Sequence, residues 1–126
     1  MNILLVEDDL FLREVFAESL TTESVTVTTA ADGKEALIAI QSNQFDVILL
    51  DVFLPSLSGL QIVEQLQKTG SSSIKHILFL TNSDDPTVIS QIKEFGLTYI
   101  IKSDITPDQL GEKVKSFAQV HGVLTT

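Results

Sequence analysis

A doubly wound α/β domain, five parallel strands alternating with five helices, is the fold class this sequence predicts. Three observations point to it. The aliphatic runs Ile3-Leu4-Leu5-Val6, Val47-Ile48-Leu49-Leu50, Ile77-Leu78-Phe79-Leu80 and Tyr99-Ile100-Ile101 recur along the chain, with helix-period patterns between them. Continuous runs this short read as strands buried on both faces of a parallel sheet. Residues 24–29 instead alternate Val25 and Val27 with Thr26 and Thr28, which marks a strand with one wet face at a sheet edge. Finally, each of the four runs ends on residues able to do chemistry: Glu7-Asp8, Asp51, Thr81 and Lys102. In open parallel sheets the binding crevice lies beyond the carboxyl ends of the strands.

The elements follow in order. A first strand over residues 2–6 leads into a helix from Asp9 to about Thr21, with Asp9 as N-cap and Leu12, Val15, Phe16 and Leu20 at helical spacing. After the edge strand, Asp32-Gly33 turns into a helix over 34–42 that buries Ala36, Leu37 and Ile40. The third strand covers 46–50. Pro55 and Gly59 then punctuate a loop before a helix carrying Leu60, Ile62, Val63 and Leu66. Gly70-Ser71-Ser72-Ser73 reads as a flexible turn before the fourth strand, 77–80. Asp84-Asp85-Pro86 opens a helix with proline in its first turn, carrying Val88, Ile89, Ile92 and Phe95 and ended by Gly96. The fifth strand is 98–101, and Thr106-Pro107 precedes a last helix with Leu110, Val114 and Phe117. Right-handed crossovers and the wet second strand favour the order 2-1-3-4-5, a flavodoxin-like (βα)5 arrangement. Strand order then reverses between the first and third strands, which carry Glu7, Asp8 and Asp51.

Composition narrows the function. At 126 residues the chain suits one domain, expected over 1–121 with a short tail at 122–126. There is no cysteine, so disulfides and thiolate metal sites are excluded. No stretch approaches the roughly 18 apolar residues of a membrane span. Met1-Asn2 lacks the basic region of a secretory signal, and a cytoplasmic location is expected. With 8 basic and 17 acidic residues the net charge is −9, which disfavours direct contact with nucleic acid.

Three carboxylates gathered in one cleft repel one another by ~4 kcal/mol per pair at ~4 Å and an effective dielectric near ~20. Either one of them takes a proton or a cation sits among them, and Mg2+ suits hard oxygen ligands. Taken alone, Glu7, Asp8 and Asp9 read as a solvated helix start. Asp51, at the tip of a central strand, is harder to dismiss, because a carboxylate can attack phosphorus and form an aspartyl phosphate. Phosphoryl transfer needs positioning and charge neutralisation above all. Lys102 is a compact cation for a phosphoryl oxygen, and Thr81 a hydroxyl donor. Singly, each of the two reads as an ordinary surface lysine and a strand-end cap. His76 and His121 have no ligand spacing and read as surface residues. Leu10-Phe11 reads equally as exposed apolar surface or as core.

These residues together resemble the receiver domain of two-component response regulators. The likeness is carried by Ile-Leu-Leu-Val-Glu-Asp-Asp at 3–9, Ala-Asp-Gly-Lys-Glu-Ala-Leu at 31–37, Asp-Val-Ile-Leu-Leu-Asp at 46–51, Leu-Pro-Ser-Leu-Ser-Gly-Leu at 54–60, Thr81 and Lys102. The resemblance implies that Asp51 is the phosphoacceptor, that Asp8 ligates Mg2+ directly and Glu7 through water, and that the Phe53 carbonyl is a further ligand. It implies Thr81 as switch hydroxyl, Tyr99 as switch aromatic and Lys102 as the phosphate-binding lysine. The implied donor is a histidine kinase or histidine phosphotransfer protein. A downstream target or a second copy would bind the face formed by the fourth helix, fifth strand and fifth helix. Catalysis would be confined to self-phosphorylation and self-dephosphorylation, with no external substrate. Three departures stand out: Ser103 follows Lys102 where the family usually has proline, Asn82 follows Thr81 where a small residue is usual, and Phe53 and Ser83 occupy rate-tuning positions. Tyr99 also reads as half-buried packing with a wet hydroxyl.

Two other classes compete. A phosphatase of the haloacid dehalogenase type would also use Asp, Mg2+, Thr and Lys, but on an Asp-x-Asp motif that Asp51-Val52-Phe53 does not make. A binding module, either an FMN protein or a receiver relic, would need a phosphate loop where this chain has Glu-Asp-Asp, or would have lost part of the set. The output stays open between a stand-alone receiver and one excised from a longer protein.

Overall fold

The computed structural model describes residues 1–120. The elements are β1 (Asn2–Val6), α1 (Leu10–Leu20), β2 (Thr26–Ala30), α2 (Gly33–Ser42), β3 (Val47–Leu50), α3 (Gly59–Lys68), β4 (Ile77–Thr81), α4 (Pro86–Glu94), β5 (Thr98–Ile101) and α5 (Pro107–Val120). All four strand pairings are parallel, in the order β2-β1-β3-β4-β5. The expected fold class, strand order and wet edge strand are therefore all present.

Alternation along each strand divides the core in two. Leu4, Val6, Ile48, Leu50 and Phe79 pack under Ala36 and Ile40 of α2, Ile62, Val63 and Leu66 of α3, and Val88 and Ile92 of α4. Ile3, Leu5, Val47, Leu49, Leu78 and Leu80 pack under Phe16 and Leu20 of α1 and Leu110, Val114 and Phe117 of α5. Each fully buried aliphatic side chain contributes about 1.5–3 kcal/mol of transfer free energy. Both faces of the central strands are dry, which is why their sequences show no polar alternation.

Register then fixes the rim. Val6 pairs with Leu50 and Thr81 with Ile101, so Glu7, Asp51, Thr81 and Lys102 lie at the same edge of the sheet. Helix starts are set by capping. Asp9 accepts from the Leu12 amide at 2.9 Å and Asp32 from Glu35 at 2.8 Å. Ser58 and Gln61 form a reciprocal capping box, at 3.2 and 2.9 Å.

Boundaries shift at a few places, each for a local reason. β2 begins at Thr26 because Thr22 and Val25 exchange two backbone hydrogen bonds of 3.3 Å just before it. Asp46 lies outside β3, and its carboxylate accepts the Asn2 amide at 2.7 Å. The serines after Gly70 are not a flexible turn. Ser71 accepts from Ser73 at 3.2 Å and caps a single 3-10 turn over Ser72–His76. His76 is half-buried rather than on the surface, its Nδ1 3.0 Å from the Asp46 carbonyl oxygen. Beyond Lys102, Ser103 lies in a short 3-10 turn, Lys102–Asp104, which leads into α5. His121 and the tail at 122–126 lie outside the described residues.

Candidate functional site

Glu7 and Asp51 leave adjacent strands side by side, and Asp8 follows Glu7. One carboxylate oxygen from each lies within 4.8 Å of the others. Glu7 is 1% exposed and Asp51 6%, whereas Asp8 faces solvent. The cluster thus has a closed inner side and an open outer one. Three hard oxygen donors arranged this way fit a small divalent cation that keeps several of its waters.

The inner side holds a built-in cation. Lys102, buried at the end of β5, places its Nζ 2.5 Å from Glu7 Oε1 and 2.7 Å from Asp51 Oδ2. The second oxygen of Glu7 accepts the Asp9 amide at 3.2 Å, and Asp51 Oδ1 accepts the Phe53 amide at 3.3 Å. Every buried side-chain polar atom among the described residues has a partner. Burial pushes the Glu7 carboxyl above its ordinary range, and the bond to Lys102 offsets this only in part. Burial pulls the Lys102 ammonium down, but hydrogen bonds to Asp51 and Glu7 outweigh it and the net shift is upward. The lysine is therefore held charged.

The other expected residues take distinct places. Thr81 is fully buried at the end of β4, and its hydroxyl accepts the Ser83 amide at 3.2 Å instead of bonding to Asp51. Tyr99 is half-buried; its partner across the strand pair is Phe79. Thr81, two residues beyond Phe79, and Tyr99 share the sheet face covered by α2, α3 and α4. The Phe53 side chain is 61% exposed beside the cluster, and its amide donates to Asp51 Oδ1. Leu10 and Phe11 are both exposed, so neither belongs to the core. Asn82 also faces solvent.

Sequence reasoning missed the supports of the loop after Asp51. Gly59 donates its amide to the Val52 carbonyl at 2.8 Å, and a Cβ there would stand 2.2 Å from the Asp51 carbonyl oxygen. Gly33 donates to the Pro55 carbonyl at 3.0 Å, and a Cβ there would stand 1.8 Å from the Leu57 carbonyl oxygen. Between them Ser56 takes a left-handed φ of 66°, and its hydroxyl accepts the Lys34 amide at 3.1 Å. Arg13 was missed as well; its Nη1 donates to the Glu7 carbonyl at 2.8 Å and fixes the turn that presents the acids. Ser58-x-x-Gln61 was the one signal in the sequence that could have fixed the start of α3.

The family model described as the response regulator receiver domain matches residues 3–115. Response regulator MprA of Mycolicibacterium vanbaalenii is 42% identical over 84 residues, 67% of this chain and 36% of that protein. Transcriptional regulatory protein AfsQ1 of Streptomyces coelicolor is 32% identical over 101 residues, 80% of this chain and 44% of that protein. The chain thus spans less than half the length of these curated relatives. Among solved structures, the receiver domain of the Francisella response regulator 1452 superposes with a TM-score of 0.81 at 25% identity, covering 95% of this chain and 98% of that one. TrrA of Thermotoga maritima, solved in complex with Mg2+-BeF, superposes with a TM-score of 0.76 at 32% identity, covering 92% and 97%. CheY4 of Vibrio cholerae gives 0.80 at 29% identity, again covering 92% and 97%. With five parallel strands in the order 2-1-3-4-5, an acidic cluster at their carboxyl ends and a match over nearly its whole described length, this chain belongs to the response regulator receiver domains of two-component signalling.

Proposed function

We propose that residues 1–121 act as one receiver unit in which Asp51 takes a phosphoryl group from a histidine kinase or histidine phosphotransfer protein and later loses it to water. The observation that carries this reading is the Lys102 ammonium, 2.7 Å from an Asp51 carboxylate oxygen on the buried inner side of a three-acid cluster. A structural ion pair needs two partners; this one gathers Glu7, Asp51 and Lys102 at the end of a sheet, with Asp8 open beside them.

Asp8 and Asp51 would hold Mg2+ with carboxylate oxygens and Phe53 with its carbonyl, Glu7 lying behind them. That the similar TrrA structure was solved in complex with Mg2+-BeF supports the choice of ion. Bound there, Mg2+ neutralises charge on the transferring group. Asp51 supplies the nucleophilic oxygen: an O–P bond forms, the donor's N–P bond breaks, and the electron pair returns to the imidazole nitrogen. Lys102 already lies against Asp51, so its ammonium meets a phosphoryl oxygen with little movement. Hydrolysis unloads the site, as water attacks phosphorus, the bond to Asp51 breaks with its electron pair returning to the carboxylate, and inorganic phosphate and a proton leave to solvent.

The output side is Thr81 and Tyr99. Thr81 spends its hydroxyl on a local amide, a bond that it can exchange for a phosphoryl oxygen. Moving Thr81 empties space on the face that Tyr99 shares, and Tyr99 turns into it, changing the α4–β5–α5 surface offered to a target or a second copy. The exposed Leu10 and Phe11 beside the acids offer apolar area to the kinase. No described helix is long and apolar enough to cross a membrane, and the cytoplasm is the compartment proposed for this exchange.

The test is intact mass after incubation with Mg2+ and a small acyl phosphate. A single phosphoryl addition is expected in the wild type and none in Asp51→Asn. Full modification of the Asn variant would overturn the assignment.

A further inference from the structure

The sheet has a second end, away from the acids. Ile3, four residues back from Glu7 and so about 13 Å from it along the strand, lines a cavity of about 490 Å³ between α1 and α5. The apolar wall of this cavity is Ile3 of β1, Leu20 at the end of α1, Val25 just before β2 and Val114 of α5. Pockets that take small molecules run from about 300 to 1,000 Å³ and are mostly apolar, with a few polar groups that orient the ligand.

Two features of the lining say what kind of ligand fits. Gly111 forms part of the wall from within α5, where glycine is disfavoured. Its φ is not positive and an added Cβ would meet nothing within 4 Å, so neither a turn nor a close approach calls for glycine. What the missing side chain does is keep the cavity wide. The second feature is charge. The chain has 17 acidic and 8 basic residues, yet no Asp or Glu is among the described residues that line this cavity. Two cations are. The Met1 ammonium donates to the Ser24 carbonyl at 2.7 Å, whereas exposed Lys115 makes no ion pair among the described residues. An apolar slot with an unpaired ammonium at its rim matches an aliphatic chain that ends in an anion.

We propose that the cavity between α1 and α5 binds a free aliphatic monocarboxylate of medium chain length, such as octanoate. The chain lies on Ile3, Leu20, Val25 and Val114 beside Gly111, and the carboxylate meets the Lys115 ammonium. This site is separate from the acidic cluster and does not depend on the reading of Asp51.

Isothermal titration calorimetry of the full chain with hexanoate, heptanoate and octanoate, each below its micelle concentration, tests it. Saturable binding is expected, tightening about three- to fourfold with each methylene. 1-Octanol should bind about two- to fivefold more weakly than octanoate, and Lys115→Met should erase that difference. Gly111→Leu should weaken octanoate binding about tenfold or more while raising the Tm of the free protein, since its side chain takes the ligand's space and suits a helix. In the wild type the methyl resonances of Val25 and Val114 should shift on addition of octanoate, which locates the site without any variant. Absence of saturable binding, binding that leaves those methyls unmoved, or an octanol difference that survives Lys115→Met overturns the proposal. So does self-association that Gly111→Leu abolishes while octanoate fails to bind, which assigns the cavity to a second copy, or binding to anionic phospholipid vesicles without binding to octanoate.

Discussion

Substituting Gly59 by alanine tests how the protein places Asp51, because the structure sets two effects against each other there. Gly59 is the first residue of α3, and alanine in a helix is favoured over glycine by up to about 1 kcal/mol. Against that, the new Cβ would lie 2.2 Å from the Asp51 carbonyl oxygen and 3.0 Å from both the Asp51 carbonyl carbon and Phe79 Cε1. Backbone oxygen cannot rotate away as a side chain can, so relief requires about 1 Å of movement of the β3 end or of α3. Overpacking of this kind costs about 1–3 kcal/mol. The steric term wins, and Tm should fall by several degrees, at about 4 °C per kcal/mol for a domain of this size. The same shift displaces Asp51 from Lys102, so phosphorylation should slow by more than stability alone explains. Gly111→Ala is the control: nothing lies within 4 Å of its added Cβ in α5, and stability should rise by about 0.5–1 kcal/mol. Thermal unfolding followed by circular dichroism, and the rate of mass gain with an acyl phosphate donor, read both variants. If Gly59→Ala matches wild type in Tm and rate, the close approach does not position Asp51.

Other consequences follow from single contacts. Mg2+ at about ten times its dissociation constant should add about 1.4 kcal/mol of stability, a Tm rise near 5 °C, and Asp8→Asn should remove most of it. An undiminished rise in that variant would place the ion elsewhere. Removing Lys102 as methionine leaves Glu7 and Asp51 facing each other uncompensated and should cost about 3–5 kcal/mol at neutral pH in metal-free buffer; denaturant unfolding at pH 7 reads it, and a loss under about 1 kcal/mol would contradict the buried ion pair. Glu7 also sets a pH signature. Its folded carboxyl lies above the ordinary value of 4.5, so its stabilising contribution is present below 4.5 and is lost as pH rises through the higher folded value. Wild-type stability minus that of Glu7→Gln should therefore fall with rising pH across that window; a difference that rises would mean that the Lys102 bond overcomes burial. Ser58→Ala removes half of the α3 capping box and should cost about 1 kcal/mol in the same unfolding measurement.

What the sequence disclosed and what it concealed divide along a physical line. The four aliphatic runs announced the strands because a dry, two-sided environment leaves no polar alternation, and Thr26 and Thr28 announced the edge because one face there is wet. Strand ends then carried Glu7, Asp51, Thr81 and Lys102 to one rim by register alone, without any knowledge of side-chain contacts. Contacts that depend on how far two backbones approach left no such trace. Gly33 read as a turn residue beside Asp32, yet its use is to let the Leu57 carbonyl pass where a Cβ would stand. Arg13 drew no reading from the sequence, since nothing local marks a guanidinium that reaches back six residues to the Glu7 carbonyl. His76 was misjudged for the same reason: its partner, the Asp46 carbonyl, is thirty residues away in the chain. The resemblance implied Lys102 as the phosphate-binding lysine, and in the structure it is bonded to two carboxylates. A cluster of acids in a dry place must be neutralised in every state, so a buried lysine beside it has to be partnered in the resting one. The resting ion pair follows from that requirement, and for this chain its partners are Glu7 and Asp51 together.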